Sequence, residues 1–310
     1  MYGFWECGMV ELKYNILALN KQMTWFIFSI LSVFALAVAE LTQQHLLNSK
    51  NPFSARASAV FTFLFQSILT IPFIFIFDLS DQFFSIFNIA IFPKILLVSF
   101  LGSLVMILYL KSFKVKNISI STIFVSLSAV VSTFFGIIFF SESVNYLKFI
   151  GIGLVLSAII AVNYKNILLE KNHFCGLVAG IIFGILYVLD KSIVSNIHPL
   201  IYIFWSFLMI AVWGFIMGRN KIINSIRGKD FSAYKPIMIS AIGYFLYNFF
   251  TFTAYTFGGE VGRIDAINNS QIFLIILFEF FVLKQTKGTT RKLLSAGLAI
   301  AGIFILGFTR

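Results

Sequence analysis

Apolar stretches of roughly twenty residues, divided by short polar connections, recur ten times along this chain, near 25–47, 57–77, 94–115, 118–140, 146–164, 174–192, 199–217, 235–257, 264–283 and 292–308. A hydrocarbon core of about 30 Å takes roughly 20 helical residues, and a barrel strand needs only about half that length with strict alternation, which these stretches lack. Helices are therefore the predicted spanning elements. Landmarks recur as well. Asn51-Pro52-Phe53 opens the second stretch and His198-Pro199-Leu200 the seventh; Tyr109 in the third is matched by Tyr255 in the eighth. The offset is near 145 residues in both cases. A repeat of five spans must send its second copy into the membrane from the opposite side, the inverted symmetry of alternating-access carriers. The expectation is an all-α membrane protein, ten transmembrane helices as two inverted five-helix repeats, 23–166 and 167–310. Residues 1–22 carry no spanning pattern and end where Met23 opens the first span, so they are expected to be a dispensable extension. Lys21, the apolar run from Trp25 to Leu36 and Ala37-Val38-Ala39 have the shape of a cleavable signal. Cleavage there would leave nine spans and break the repeat.

Composition agrees with a bilayer: 59% of residues are hydrophobic and 11% charged, with a mean hydropathy of +0.95, too little polar surface to cover a soluble globule. The net charge of +11 resides in short connections such as 219–235 and 284–292, beside apolar spans, where solvated loops facing anionic lipid account for it better than nucleic acid does. Cys7 and Cys175 are too few for a disulfide framework, and His45, His173 and His198 sit near span ends without metal-ligand spacing. With no nucleophile motif and no phosphate-cradling glycine loop, a membrane-embedded enzyme is the weaker alternative, and no cofactor or metal is expected.

Small residues mark helix contacts. Gly176, Gly180 and Gly184 form a ridge on the sixth span; Gly153, Ser157 and Ala161 on the fifth and Ser295, Ala299 and Gly302 on the tenth form two more. Such ridges let backbones approach. The fifth and tenth spans hold equivalent places in the repeats, and they are expected to pack together or against their own repeat, away from substrate.

Polar side chains inside the spans are the candidate machinery, because an ionised group at a helix centre costs on the order of 3 kcal/mol and persists where it faces a cavity or a partner. Glu40 lies deepest, with Gln43 and Gln44 extending its face; its structural alternative is a hydrogen bond to a neighbouring helix. Glu279 stands nearer a helix end. Asp190 and Lys191 close the sixth span, Tyr187 one turn before them, where snorkelling or a local ion pair is the plainer reading. Tyr244, Asn248, Thr251 and Tyr255 make one polar stripe on the eighth span, suited to a cavity wall. Arg263, Asp265, Asn268, Asn269 and Gln271 open the ninth span, and Ser119, Ser121, Ser126 and Ser128 hold the matching stretch of the fourth. Inverted repeats would bring these two clusters together, where hydroxyls and amides replace a polar solute's water; Arg263 and Asp265 would neutralise each other.

The run from Tyr109 through Ser119-Ile-Ser-Ile-Ser-Thr, Ser126-Leu-Ser128 and Phe140-Ser141-Glu142 to Gly151-Ile-Gly153 resembles the EamA-type transporters of the drug/metabolite transporter superfamily, and a second copy runs from Tyr255 through Asn268-Asn269-Ser270-Gln271 to Gln285 and Gly297. The likeness covers the chain from Met23. Two positions depart from the family pattern: Gln285 stands where the first copy keeps Glu142, and the proline common in that helix is missing from both copies. The resemblance implies a multi-pass carrier in the cell membrane that moves a small polar or amphipathic metabolite or drug through a central cavity. No nucleotide-binding motif is present, so a gradient is expected to drive it, with proton coupling at Glu40. Translocation of a lipid-linked substrate is the alternative within the transport class. The positive-inside rule, with about thirteen Lys and Arg in the loops after odd-numbered spans against about five elsewhere, puts the termini outside the cytoplasm. The resemblance implies the reverse orientation.

Overall fold

The computed structural model describes the backbone of residues 2–47, 53–112, 124–163, 171–281 and 289–308. The helices are α1 (Tyr2–Leu47), α2 (Ala55–Ile76), α3 (Phe92–Ser112), α4 (Ser128–Phe140), α5 (Tyr146–Asn163), α6 (Lys171–Val194), α7 (Pro199–Ile226), α8 (Lys235–Thr256), α9 (Val261–Asn269), α10 (Gln271–Phe281) and α11 (Thr289–Phe308). Among the described residues, six segments are long and apolar enough to cross a membrane, from Met23–Leu47 to Phe231–Thr256, and Ser128–Phe140, Tyr146–Ala161 and Leu294–Phe308 are shorter apolar helices.

The residues sort as a bilayer requires. On α1, Ile27, Leu31, Phe34 and Val38 are exposed, while Ser29, Ser32, Glu40 and Gln43 are buried among other helices. Outward apolar groups meet lipid tails at no cost, and inward polar groups find partners. Sharp local signals set the helix ends. The Ser54 hydroxyl accepts from Ala57 N at the start of α2, and Pro199 occupies the first turn of α7 behind His198. There a proline's missing N–H leaves no carbonyl unpaired.

The predicted ninth span is divided. Its polar first half, with Arg263, Asp265, Asn268 and Asn269, is α9, and the chain tightens at Ser270 before α10: Ser270 N bonds Ile267 O (3.0 Å) and Phe273 N bonds Ser270 O (2.9 Å), both to the third residue back. The predicted fourth span has the same feature before α4, where Leu127 N bonds Phe124 O (3.3 Å) and Ala129 N bonds Ser126 O (3.2 Å). The two interruptions lie 144 residues apart (270 − 126). Irregular backbone at membrane depth is tolerated where protein or a cavity surrounds it.

Helix contacts follow the glycines, with one shift. A Cβ at Gly184 would stand 2.5 Å from Val131 Cβ and 2.8 Å from Ser128 O, so the sixth-span ridge lets α6 lie directly on α4. The fifth and tenth spans pack through Gly151 and Gly302: a Cβ on Gly302 would come within 2.8 Å of Gly151 O. Gly153 and Ser157, the expected ridge, are exposed instead. Residues two apart on a helix point about 200° from one another, so a ridge starting at Gly153 faces away from one starting at Gly151.

Two ends of the bundle can be named from their contacts. Near the C-terminal end of α1, Ser240 Oγ at the start of α8 donates to Gln43 Oε1 (2.9 Å). At the C-terminal end of α6, Lys191 Nζ meets Glu142 Oε1 (2.9 Å), which also accepts from Val261 N (2.7 Å) just beyond the end of α8. The C-terminal ends of α1 and α6 thus lie at opposite ends of α8. We refer to these as the amide end and the ionic end. Phe26 and Phe308 pack at 5.9 Å between ring centres, bringing the start of the first span beside the end of the last.

Candidate functional site

Between the two ends the helices enclose a cavity of about 110 Å³, room for several waters. Its wall draws on both halves of the chain and contains Glu40, Asp190 and Asp265, five tyrosines (109, 187, 202, 244 and 247) and four phenylalanines. The 3–4 residue period of α1 aims Ser29, Ser32, Leu36, Glu40 and Gln43 inward on one face. Glu40 accepts hydrogen bonds from the Tyr109 hydroxyl on α3 and from Gln271, the first residue of α10. Asp190, one turn from the end of α6, accepts from the Tyr202 hydroxyl on α7. Asp265 is held more fully, by Ser128 Oγ (3.1 Å), Ser132 Oγ (3.0 Å) and Asn269 Nδ2 (2.9 Å). Amides extend the polar wall: Ser32 Oγ donates to Asn268 Oδ1 (2.5 Å), Asn268 Nδ2 to Thr251 Oγ1 (3.2 Å), and Asn248 Nδ2 to Gln66 Oε1 (3.1 Å). Both helix interruptions reach the wall, through Val125 on one side and Asn269 and Gln271 on the other.

Charge is distributed unevenly. Among the described residues, every ion pair within 4.0 Å lies at the ionic end and none involves a cavity carboxyl. There Lys148, fully buried, joins Glu142 Oε2 (3.3 Å) to Glu260 Oε2 (2.8 Å); Arg263 Nε also meets Glu260 Oε2 (2.8 Å), and Lys191 pairs with Glu142 while lying 4.8 Å from the centre of the Phe140 ring. Local backbone makes this possible. Ser141 takes a left-handed conformation (φ 51°) after α4, and the Glu142 carboxyl folds back over Gly136, where a Cβ would stand 2.6 Å from its Oε2. Glu260 lies between α8 and α9. Burial alone would raise its pKa, but hydrogen bonds from Lys148 and Ser143 and the charges of Arg263 and Lys148 outweigh that and hold it below the ordinary glutamate value.

Among the described residues no ion pair lies at the amide end, where Arg56 donates to Met217 O (2.9 Å) and Lys229 Nζ stands 4.5 Å from the centre of the Phe53 ring. Gln43 Nε2 donates to Ser58 Oγ, Ser240 Oγ donates to Gln43 Oε1 and to Ala39 O (3.2 Å), and Leu46, Phe53, Ala57, Val60, Ala211, Ile222 and Ile237 form an apolar cluster beside them.

Of the residues singled out from sequence, Glu40, Tyr109, Tyr187, Asp190, Tyr244, Asn248, Asp265, Asn268, Asn269 and Gln271 stand in the cavity wall. Gln43 bonds Ser58 and Ser240 at the amide end, Ser128 supports Asp265, Ser126 is buried at the interruption before α4, Thr251 bonds Asn268, and Tyr255 packs on Phe252. The expected stripe on α8 therefore divides after Asn248. Ser121 and the side chains of Gln44 and Glu279 lie outside the described residues. Arg263 and Asp265 do not neutralise each other; each has nearer partners, Glu260 in one case and two serines and an asparagine in the other. Asp190 and Lys191 likewise part company, one into the cavity and one to Glu142. Tyr202, Tyr247, Gln66 and Lys148 carry roles that the sequence reading missed. Gln66, a lone amide in the middle of the second span, offered a signal. Lys148 looked like an ordinary charge at a span's start.

The EamA-like transporter family matches residues 23–164 and again 171–308. A solved structure described as the crystal structure of a protein is similar in fold, with a TM-score of 0.70 and 12% identity over 91% of this chain and 95% of that one. No curated protein matches in sequence. With two family matches in tandem and multiple apolar helices, this is an integral, multi-pass membrane protein, and the chain belongs to the EamA-like transporter family.

Proposed function

We propose that the protein carries a small polar or amphipathic molecule through the central cavity by alternating access, opening in turn at the amide end and the ionic end, and that a gradient drives it with Glu40 as the coupling carboxyl. Ten crossings in two inverted five-helix halves, 23–166 and 167–310, provide the frame, in the cell membrane. The observation that carries this reading is a cavity built from both halves and holding buried carboxyls that, among the described residues, have no counter-cation. The opposed ends of α1 and α6 and the paired interruptions in the fourth and ninth spans support the inverted frame. Glu40 is the deeper of the two carboxyls with tyrosine partners, about 10 Å of helix from Leu47, and faces Tyr109, Tyr244 and Gln271.

The test is transport in proteoliposomes across a pH series. Glu40→Gln keeps shape and hydrogen bonding but cannot ionise, so it is expected to fold normally and lose the pH dependence of transport. Wild-type pH dependence surviving in that variant would return Glu40 to a structural hydrogen bond.

A further inference from the structure

Building on the carrier reading, we infer that the cavity selects an organic cation with an aromatic or apolar body: an amine or related cation seated between Glu40 and Asp190 and ringed by tyrosines. Four observations converge on it. Among the described residues, the wall holds three acidic side chains and no lysine, arginine or histidine. Two of the acids have fewer hydrogen-bond donors than the third. Asp265 is consumed by Ser128, Ser132 and Asn269, whereas Asp190 takes a hydrogen bond from Tyr202 and Glu40 takes bonds from Tyr109 and Gln271.

The second observation is independent of the acids. The Tyr244 hydroxyl and Gln271 Oε1 line the same cavity, each on a residue only 6% exposed, and neither has a hydrogen-bond partner. A buried donor or acceptor left unmade costs about 1–3 kcal/mol, so such groups are positioned for something the cavity receives. Gln271 turns its amide nitrogen toward Glu40 and leaves its oxygen, an acceptor for an N–H, unpaired beside the carboxyl.

Third, the rings suit a cation. Five tyrosines and four phenylalanines line the cavity, and a cation within about 6 Å of an aromatic face is attracted by the ring quadrupole, more strongly where water is excluded. Phe183 stacks on Tyr187 and meets Tyr109 edge-on at 5.5 Å, placing an aromatic surface beside the Glu40–Tyr109 pair. Fourth, the two available acids come from equivalent first helices of the two halves, and the ends of those helices point to opposite ends of the bundle. A cation entering from either side therefore meets a carboxyl first. A buried carboxyl is tolerated either protonated or against a cation, so proton and substrate compete for the same oxygens.

The experiment uses the purified full chain and three probes of one shape, 2-phenylethylammonium, neutral 2-phenylethanol and anionic 3-phenylpropanoate, measured by calorimetry and by thermal shift. The ammonium is expected to bind at least tenfold more tightly than either of the others. Asp190→Asn and Glu40→Gln are each expected to reduce that preference at least tenfold. Equal or tighter binding of the neutral or anionic probe would overturn the cation assignment and leave the carrier reading standing. Failure of all three to bind would also overturn it. The carrier reading fails on a different measurement, the two-sided accessibility of the cavity. Because the wild-type comparison decides selectivity alone, a variant that fails to fold does not remove the test.

Discussion

The two ends of this bundle are held together by different chemistry. At the ionic end, two glutamates, two lysines and an arginine from three stretches of the chain interlock, with Lys148 wholly enclosed. The amide end relies on one glutamine, two serines and an apolar cluster. The difference is one of energetic character. A buried ion pair adds little net stability when intact, because desolvating the charges offsets their attraction, yet removing one partner strands the other and costs about 3–5 kcal/mol. A neutral side-chain hydrogen bond in a membrane protein contributes about 0.6 kcal/mol. The ionic end is therefore all-or-none, and the amide end gradual.

The largest effect that follows is on Lys148. Lys148→Met keeps the apolar stem but leaves Glu142 and Glu260 facing each other without their shared cation, and the purified protein is expected to lose about 3 kcal/mol of stability or more, read by thermal melting. A small loss would mean that water or lipid headgroups already screen this site and that the ends do not differ as described.

A second, smaller effect concerns acid. Because Glu260 is held below the ordinary glutamate value of 4.5, its contribution is fully present above that pH and is lost as pH falls through the lower folded-state value. Melting temperature is expected to drop below about pH 4.5 in the wild type, with a shallower slope in Glu260→Gln. Identical slopes would remove Glu260 from the ion-pair network of the ionic end. The smallest effect belongs to the amide end: Gln43→Leu is expected to cost roughly 1 kcal/mol and to show no dependence on pH between 4 and 8. A loss as large as that of Lys148→Met would erase the contrast.

Much of this architecture could be read from the chain before any coordinates. Apolar length located the helices, and the paired Pro52/Pro199 landmarks marked the starts of α2 and α7 within a few residues. The ninth span misled because its second half is apolar enough to lend a continuous appearance to a polar first half that is in fact a separate helix. The ridge on the fifth span misled because small residues at 153 and 157 satisfy the same spacing as the contact surface at Gly151 while facing the other way. Glu40 could be picked out because depth alone makes a carboxyl conspicuous. Asp190 could not be assigned, since a position one turn from a helix end fits snorkelling as well as a cavity; only the three-dimensional placement of Tyr202 separates the two. The ionic end was least legible. Its partners come from residues 142, 148, 191, 260 and 263, and no periodicity connects positions brought together by tertiary packing.

Whether the cavity is reached in turn from both ends can be read from a single cysteine at Asn248, which lines the wall. In a background with Cys7 and Cys175 replaced by serine, Asn248→Cys is exposed to a membrane-impermeant maleimide from one side of oriented vesicles and then from the other. Labelling is expected from both sides, with Lys148→Met increasing the rate from the ionic end relative to the amide end. Labelling confined to one side, in both proteins, would contradict it.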